Sequence, residues 1–325
     1  MRKTLTITIK KIIYLSIFFL LGLTSQTQSS MNSVSPIHIK CGFYPVSLRD
    51  FNLRNQTYKI DFYLWCLSKT IYNCKSIELI NAHEQKIIYS ENDKVGDSYR
   101  TNCRISATVQ HDWDLRYYPF GSQTLKMVTE DFNHVESEVI FSPDIKNTYF
   151  DDNLSVEGWT VKGFSLGVAR HVYKTNFGDP VEVESNYSQL IFKIDVKPEA
   201  WRLYFDTFLG FFIGFFLSAI SYVVHISNVG SRISLMLAAI FSIVGNKYVM
   251  AQVIPLRSSF GLADIIQLCS FLMVVFTTLS IIYCHTLEIN KKRKSAYKIN
   301  KIVGIALSAS YILIISIATY HSYIR

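Results

Sequence analysis

The chain has 325 residues, a formal net charge of +8, 49% hydrophobic and 18% charged residues. That balance is too apolar for an ordinary soluble protein and too charged for one embedded in lipid throughout, so a soluble part joined to a membrane part is expected. The positive excess does not point to nucleic acid. Its densest run, Lys291 to Lys294, lies between apolar segments, where basic residues mark membrane topology.

Taken in chain order, the first element reads as a secretion signal over residues 1–28. Arg2, Lys3, Lys10 and Lys11 precede an apolar stretch at 12–23, and small polar residues follow. The apolar stretch is short for a spanning helix, although an uncleaved anchor is the alternative. From 37 to 197 the hydrophobic pattern has period two. Segments 58–67, 76–81, 103–110, 122–131, 159–170 and 188–197 read as strands, each rich in β-branched and aromatic residues and bounded by Asn, Asp, Gly or Pro. An all-β sandwich over 29–198 is therefore expected. Cys41, Cys66, Cys74 and Cys103 lie in this half, with no C-x-x-C pair to suggest zinc. Cys66 and Cys74 are close enough in sequence to bridge, and free buried thiols are the other reading.

After Pro198 the pattern becomes a four-helix transmembrane domain over 199–325, with spans at about 201–225, 230–254, 261–285 and 300–322 and a basic cytoplasmic loop at 286–300. The second span is a poor lipid-facing helix. Ser231, Ser234, Ala238, Phe241, Gly245, Tyr248 and Gln252 recur at steps of three and four. A face of small, hydroxyl and amide side chains looks inward, either to pack helices closely or to line a pore. The signal places the β-domain outside the cytoplasm. The six basic residues between the third and fourth spans belong inside, which also places the C-terminus outside. Lys247 is positioned to snorkel or to pair with Asp264.

A secreted β-sandwich, a tight joint and four helices with a polar second one resemble the pentameric ligand-gated ion channels of the Cys-loop superfamily. Residues 118–123, Tyr-Pro-Phe-Gly-Ser-Gln, resemble that family's signature loop. Gly230-Ser231-Arg232 followed by Pro255 resembles its second-helix frame, and Trp201-Arg202-Leu203-Tyr204-Phe205 resembles its entry into the first helix. The likeness spans about residues 35–322. Gly121 stands where the family has Asp, and His111 and Leu125 stand where animal receptors have the loop cysteines, so the chain is similar to the prokaryotic branch.

The resemblance implies a homopentamer in a lipid bilayer of the cell membrane, a small-molecule agonist (an amine or a proton), and a permeant ion. It implies no cofactor, no metal and no enzymatic activity. Agonist would bind between sandwiches, with Phe132, Tyr173, Tyr187 and Glu130 as candidates, their alternative role being packing in the sandwich. The gating joint would hold Asp50, Tyr118, Pro119, Phe120, Pro255 and Trp201, the aromatic-Pro-Phe tip pressing on the loop 255–261. Phe241 would form an apolar constriction. No acid occurs from Gly230 to Pro255, so cation selectivity has no support, and Arg232 does not establish anion selectivity. A non-conducting pentameric membrane sensor of the same architecture is the alternative. Trp113 and Trp159 are expected in the core or at an interface. His111 and His134 are candidate proton sensors, because histidine changes charge near neutral pH. No G-x-S-x-G, H-E-x-x-H or P-loop occurs to support an enzyme.

Overall fold

The structure, a computed structural model, describes residues 35–151, 154–156, 158–175, 177–178, 185–255 and 260–325. The expected secretion signal lies outside the described residues.

Ten strands form two five-stranded sheets. In chain order they are β1 (Ile37–Asn52), β2 (Thr57–Ser68), β3 (Ile77–Leu79), β4 (Ala82–Val95), β5 (Ser98–Gln110), β6 (Gln123–Asp131), β7 (Val139–Pro143), β8 (Ser155–Val156), β9 (Trp159–Tyr173) and β10 (Ser185–Pro198). One sheet has the order β4-β5-β2-β1-β7 and the other β3-β6-β10-β9-β8. All neighbours are antiparallel except β1 and β7, where Ile37 pairs with Val139 in parallel.

Alternation explains the core. On β2 every second residue from Tyr58 to Ser68 is buried, and one face of the strand thereby meets the opposite sheet. Phe43 of β1 and Phe62 of β2 stand 4.8 Å apart, and Phe43 reaches Phe192 of β10 at 4.1 Å, which joins the two sheets through ring contacts. Trp65 lies across Gly42, its cross-strand partner, where an added Cβ would meet the indole at 2.2 Å. The glycine is therefore required by close approach. Trp113 is fully buried and packs with Phe51 and Trp159.

Of the two readings for Cys66 and Cys74, the bridge between them is overturned and the free buried thiol holds for Cys66. Cys74 bridges to Cys103, 29 residues away, and not to Cys66. Cys66 instead sits opposite Cys41 across β1 and β2, both buried as thiols. Cys74 belongs to a short 3-10 turn, 74–76, which packs against β5, the strand that holds Cys103.

Four helices follow: α1 (Ala200–Ser221), α2 (Val229–Val253), α3 (Leu262–Ile289) and α4 (Arg293–Tyr323). Each is long and apolar enough to cross a membrane. The buried residues of α1, among them Tyr204, Phe208, Phe211, Phe215 and Ser218, recur at three and four, so one stripe faces the bundle. Polar links join helices inside it. Tyr204 Oη lies 2.9 Å from Thr319 Oγ1, and Ser270 Oγ lies 3.0 Å from Tyr311 Oη. Asn246 of α2 accepts from Gly210 N at 3.1 Å and donates to Thr207 O at 2.9 Å, while Ser242 donates to Gly210 O at 2.8 Å.

The expected basic loop at 286–300 is also corrected. Helix α3 runs to Ile289 and α4 begins at Arg293, so most of that segment is helical and the turn is only 290–292. Lys291 has φ +58° and makes the reversal. Polarity ended the expected spans too early, because Glu288, Lys294 and Lys298 are good helix formers that continue a helix beyond the apolar stretch.

Candidate functional site

Three of the four expected ligand residues meet on one face of the second sheet. Glu130 is the last residue but one of β6 and is 3% exposed. Its Oε2 accepts from Tyr173 Oη at 3.0 Å, its Oε1 accepts from Gln189 Nε2, and His171 Nδ1 lies 3.6 Å from Oε1. His171 and Tyr173, two residues apart on β9, stack with ring centroids 4.1 Å apart. Tyr173 meets Tyr187 edge-on at 5.5 Å and Phe177 at 5.3 Å. Burial first, and then the hydrogen bond to Glu130, push the Tyr173 phenol up to about 12. It therefore remains a donor to the carboxylate at neutral pH. The result is a carboxylate set behind half-exposed aromatic faces, an arrangement that attracts a cation through charge and ring quadrupole together. Both carboxylate oxygens already accept bonds, so an incoming ammonium would meet the rings first.

Phe132 does not join this group. It is 53% exposed and packs against no other ring among the described residues. His171, Gln189 and Phe177 were not singled out from the sequence. Period-two alternation carries the signal for two of them: Tyr187 lies opposite His171, so residues 171, 173, 187 and 189 share a face. The two histidines expected as proton sensors are held by other partners. His134 Nδ1 is 3.0 Å from Asp131 Oδ1. His111 stands edge-on to Trp113 at 4.6 Å, and burial holds its imidazole below the ordinary value.

On α2, Ser231, Ser234, Ala238, Phe241, Gly245, Tyr248 and Gln252 are all exposed in the single chain. Phe241 and Tyr248 are 68% and 70% exposed. The buried residues, Arg232, Met236, Ala239 and Ile243, form a different stripe that faces the bundle. Lys247 forms no ion pair with Asp264 among the described residues. Asp264 caps its own helix instead, accepting from Gly261 N at 2.9 Å.

At the joint, the Tyr118–Pro119 peptide is cis, and Tyr118, Pro119 and Phe120 are buried. Phe120 packs against Trp201 at 5.1 Å and Tyr204 at 5.5 Å on α1 and against Tyr323 at 5.9 Å on α4. Tyr118 Oη lies 3.4 Å from Thr207 Oγ1. The expected contact with 255–261 falls largely outside the described residues. There the described contact belongs to Arg116, whose carbonyl accepts from Leu262 N at 3.0 Å and leaves no room for a Cβ at Gly261. Pro255 is half-buried, and 256–259 lie outside the described residues. Asp50 pairs with Lys59 at 2.8 Å, and the same β1–β2 turn sends Arg54 to Gln252 on α2. Arg54 and Arg116 were not foreseen. Both are exposed cations in loops, a pattern with no periodicity to mark it.

No protein-family model matches the chain, and no curated protein matches it.

Proposed function

We propose that the chain is one subunit of a homopentameric ligand-gated ion channel of the Cys-loop superfamily, with its β-domain and C-terminus outside the cytoplasm. The observation that carries this reading is the exposed stripe of α2. A helix apolar enough to cross a membrane leaves Ser231, Ser234, Gly245 and Gln252 uncovered on one face. Hydroxyl and amide groups are costly against lipid tails, so that face belongs against water or other copies. Five copies around an axis would give a pore whose apolar level is Phe241.

The cluster around Glu130 supplies a ligand site at the far end, and the contacts of Phe120 and Arg54 supply the coupling. A ligand that binds one arrangement of the sandwich better than another shifts the equilibrium of the joint, and α2 moves with it. Its chemistry is that of a small amine or a proton.

The test is current across a planar bilayer holding the purified chain, while pH is stepped and small amines are added. Gated current that reverses with an ion gradient is expected, and Phe241→Ala should leak at rest. Silence in both proteins, with pentamers confirmed by mass, overturns conduction and leaves a non-conducting sensor.

A further inference from the structure

Gln189 fixes where the protons lie around Glu130. Its side chain reaches from β10 to two acceptors at once: Nε2 donates to Glu130 Oε1 and lies 3.0 Å from His171 Nδ1. The carboxylate settles which way the amide points. An amide oxygen would repel a carboxylate oxygen at hydrogen-bond distance, so the nitrogen stands on that side. The same nitrogen then meets Nδ1. An amide NH2 only donates, so Nδ1 must accept. His171 is therefore neutral in this arrangement, with its proton on Nε2.

A proton on Nδ1 changes the pairing. Imidazolium donates at both nitrogens, so Nδ1 and the amide would then stand donor to donor. The acceptor within reach is Glu130 Oε1, 3.6 Å from Nδ1. His171 is 41% exposed and exchanges its proton with water, whereas Glu130 is buried. The other titratable groups facing the pair leave this exchange in place. Tyr173, stacked on His171, stays a neutral donor to Oε2. Tyr187 of β10 lies opposite His171 in the register, and Glu78 of β3 lies opposite Glu130. The charge of Glu78, like that of Glu130, favours an imidazolium. Arg170, adjacent in sequence, projects to the other face of β9 and pairs with Glu136 at 2.6 Å.

We propose that His171 and Gln189 set which charge this site accepts. With His171 neutral, Glu130 keeps its full negative charge behind the rings, and a small organic cation binds. With His171 protonated, the imidazolium takes that charge and the cation is disfavoured. The inference rests on the ligand site proposed around Glu130 and adds its regulation. Proton and cation oppose each other, so cation affinity is full while His171 is neutral and falls as pH drops through its titration. By linkage, a bound cation expels the proton by the same factor.

The experiment is calorimetric titration of the purified full chain with tetramethylammonium, which has no proton of its own to lose, from pH 8 to pH 5.5, where free carboxylates stay ionised. Affinity should fall about tenfold across that range, the effect of one nearby charge after screening. Near the midpoint each site should release part of a proton on binding, read by repeating the titration in buffers of different ionisation heat. His171→Gln should bind equally at both ends of the range and release none. Gln189→Leu opens Oε1 and Nδ1 to each other and should move the loss of affinity to higher pH, which keeps the test decisive if the His171 variant fails to fold. His134→Gln, outside the cluster, should leave the profile unchanged. Binding that is flat in pH overturns the proposal and leaves the ligand site standing. So does a slope that survives His171→Gln or disappears in His134→Gln. Absence of binding at every pH overturns the ligand site itself.

Discussion

Arg54 Nη1 donates to Gln252 Oε1 at 2.5 Å and so ties the β1–β2 turn to the last turn of α2, across 198 residues of sequence. Both side chains are exposed, so the bond contributes less than about 1 kcal/mol to stability. Its consequence is coupling. Arg54→Ala and Gln252→Ala should each speed amide exchange in both the turn and the end of α2. The double variant should be no worse than either single one, because the two residues act through one contact. Additive effects in the cycle would show that the two residues act separately.

Asn246 should be the costliest polar residue to remove from the α1–α2 contact. It satisfies both Gly210 N and Thr207 O, and interhelical hydrogen bonds in membranes are worth about 0.6–2 kcal/mol each. Asn246→Leu should therefore lower stability by about 1–4 kcal/mol in a detergent unfolding titration. Gly210→Ala should also destabilise, because an added Cβ would lie 2.6 Å from Asn246 Cβ. Full stability in the alanine variant would mean that the helices are not this close.

Cys103→Ser opens a bridge that closes 29 residues. Chain-entropy reasoning puts the loss at about 3–4 kcal/mol, measurable as a lower unfolding midpoint. Cys41 and Cys66 are buried, and burial pushes the Cys41 thiol well above its usual range, with Cys66 beside it adding to the effect. A water-soluble thiol reagent should leave both unlabelled in the folded protein and label both after denaturation.

His111 makes stability fall in acid. Burial lowers its folded value below the ordinary 6.5, so the unfolded chain binds the proton more readily. Its contribution is present above about pH 6.5 and is lost as pH falls through the folded value. His111→Gln should flatten the stability profile below pH 6.5 while leaving other pH-dependent features in place. A profile as steep as that of the wild type would assign the acid loss to other groups.

How far the sequence reveals this molecule varies from element to element. The four helices are legible because apolar length has few other meanings, yet the ends of α3 and α4 are not, since Lys294 and Lys298 favour helix as well as water. Strand β4 was not read because its apolar residues, Ile87, Ile88 and Tyr89, adjoin one another and do not alternate: it is an edge, with most of its residues exposed from His83 to Val95. The partner of Cys74 stayed open because sequence distance allowed Cys66, whereas the bridge is to Cys103 on β5. Around Glu130, Tyr173 and Tyr187 were expected at a ligand site only through the family resemblance. His171 and Gln189 become visible only when the register of β9 and β10 is fixed, because a one-residue slip would send both to the other face. The Lys247–Asp264 pair failed because Asp264 stands three residues into a helix, where capping competes with pairing.

Arg232 sets an order on how the chain is completed. It enters the bundle with α2, and the carbonyl of Ser221 on α1 is in place by then. The amide oxygen of Asn300 arrives only with α4. A chain that stops before residue 300 leaves a guanidinium inside an apolar bundle without that acceptor, at a cost that no packing elsewhere removes. The last helix therefore supplies, through Asn300, one of the two hydrogen-bond acceptors that the buried Arg232 has among the described residues.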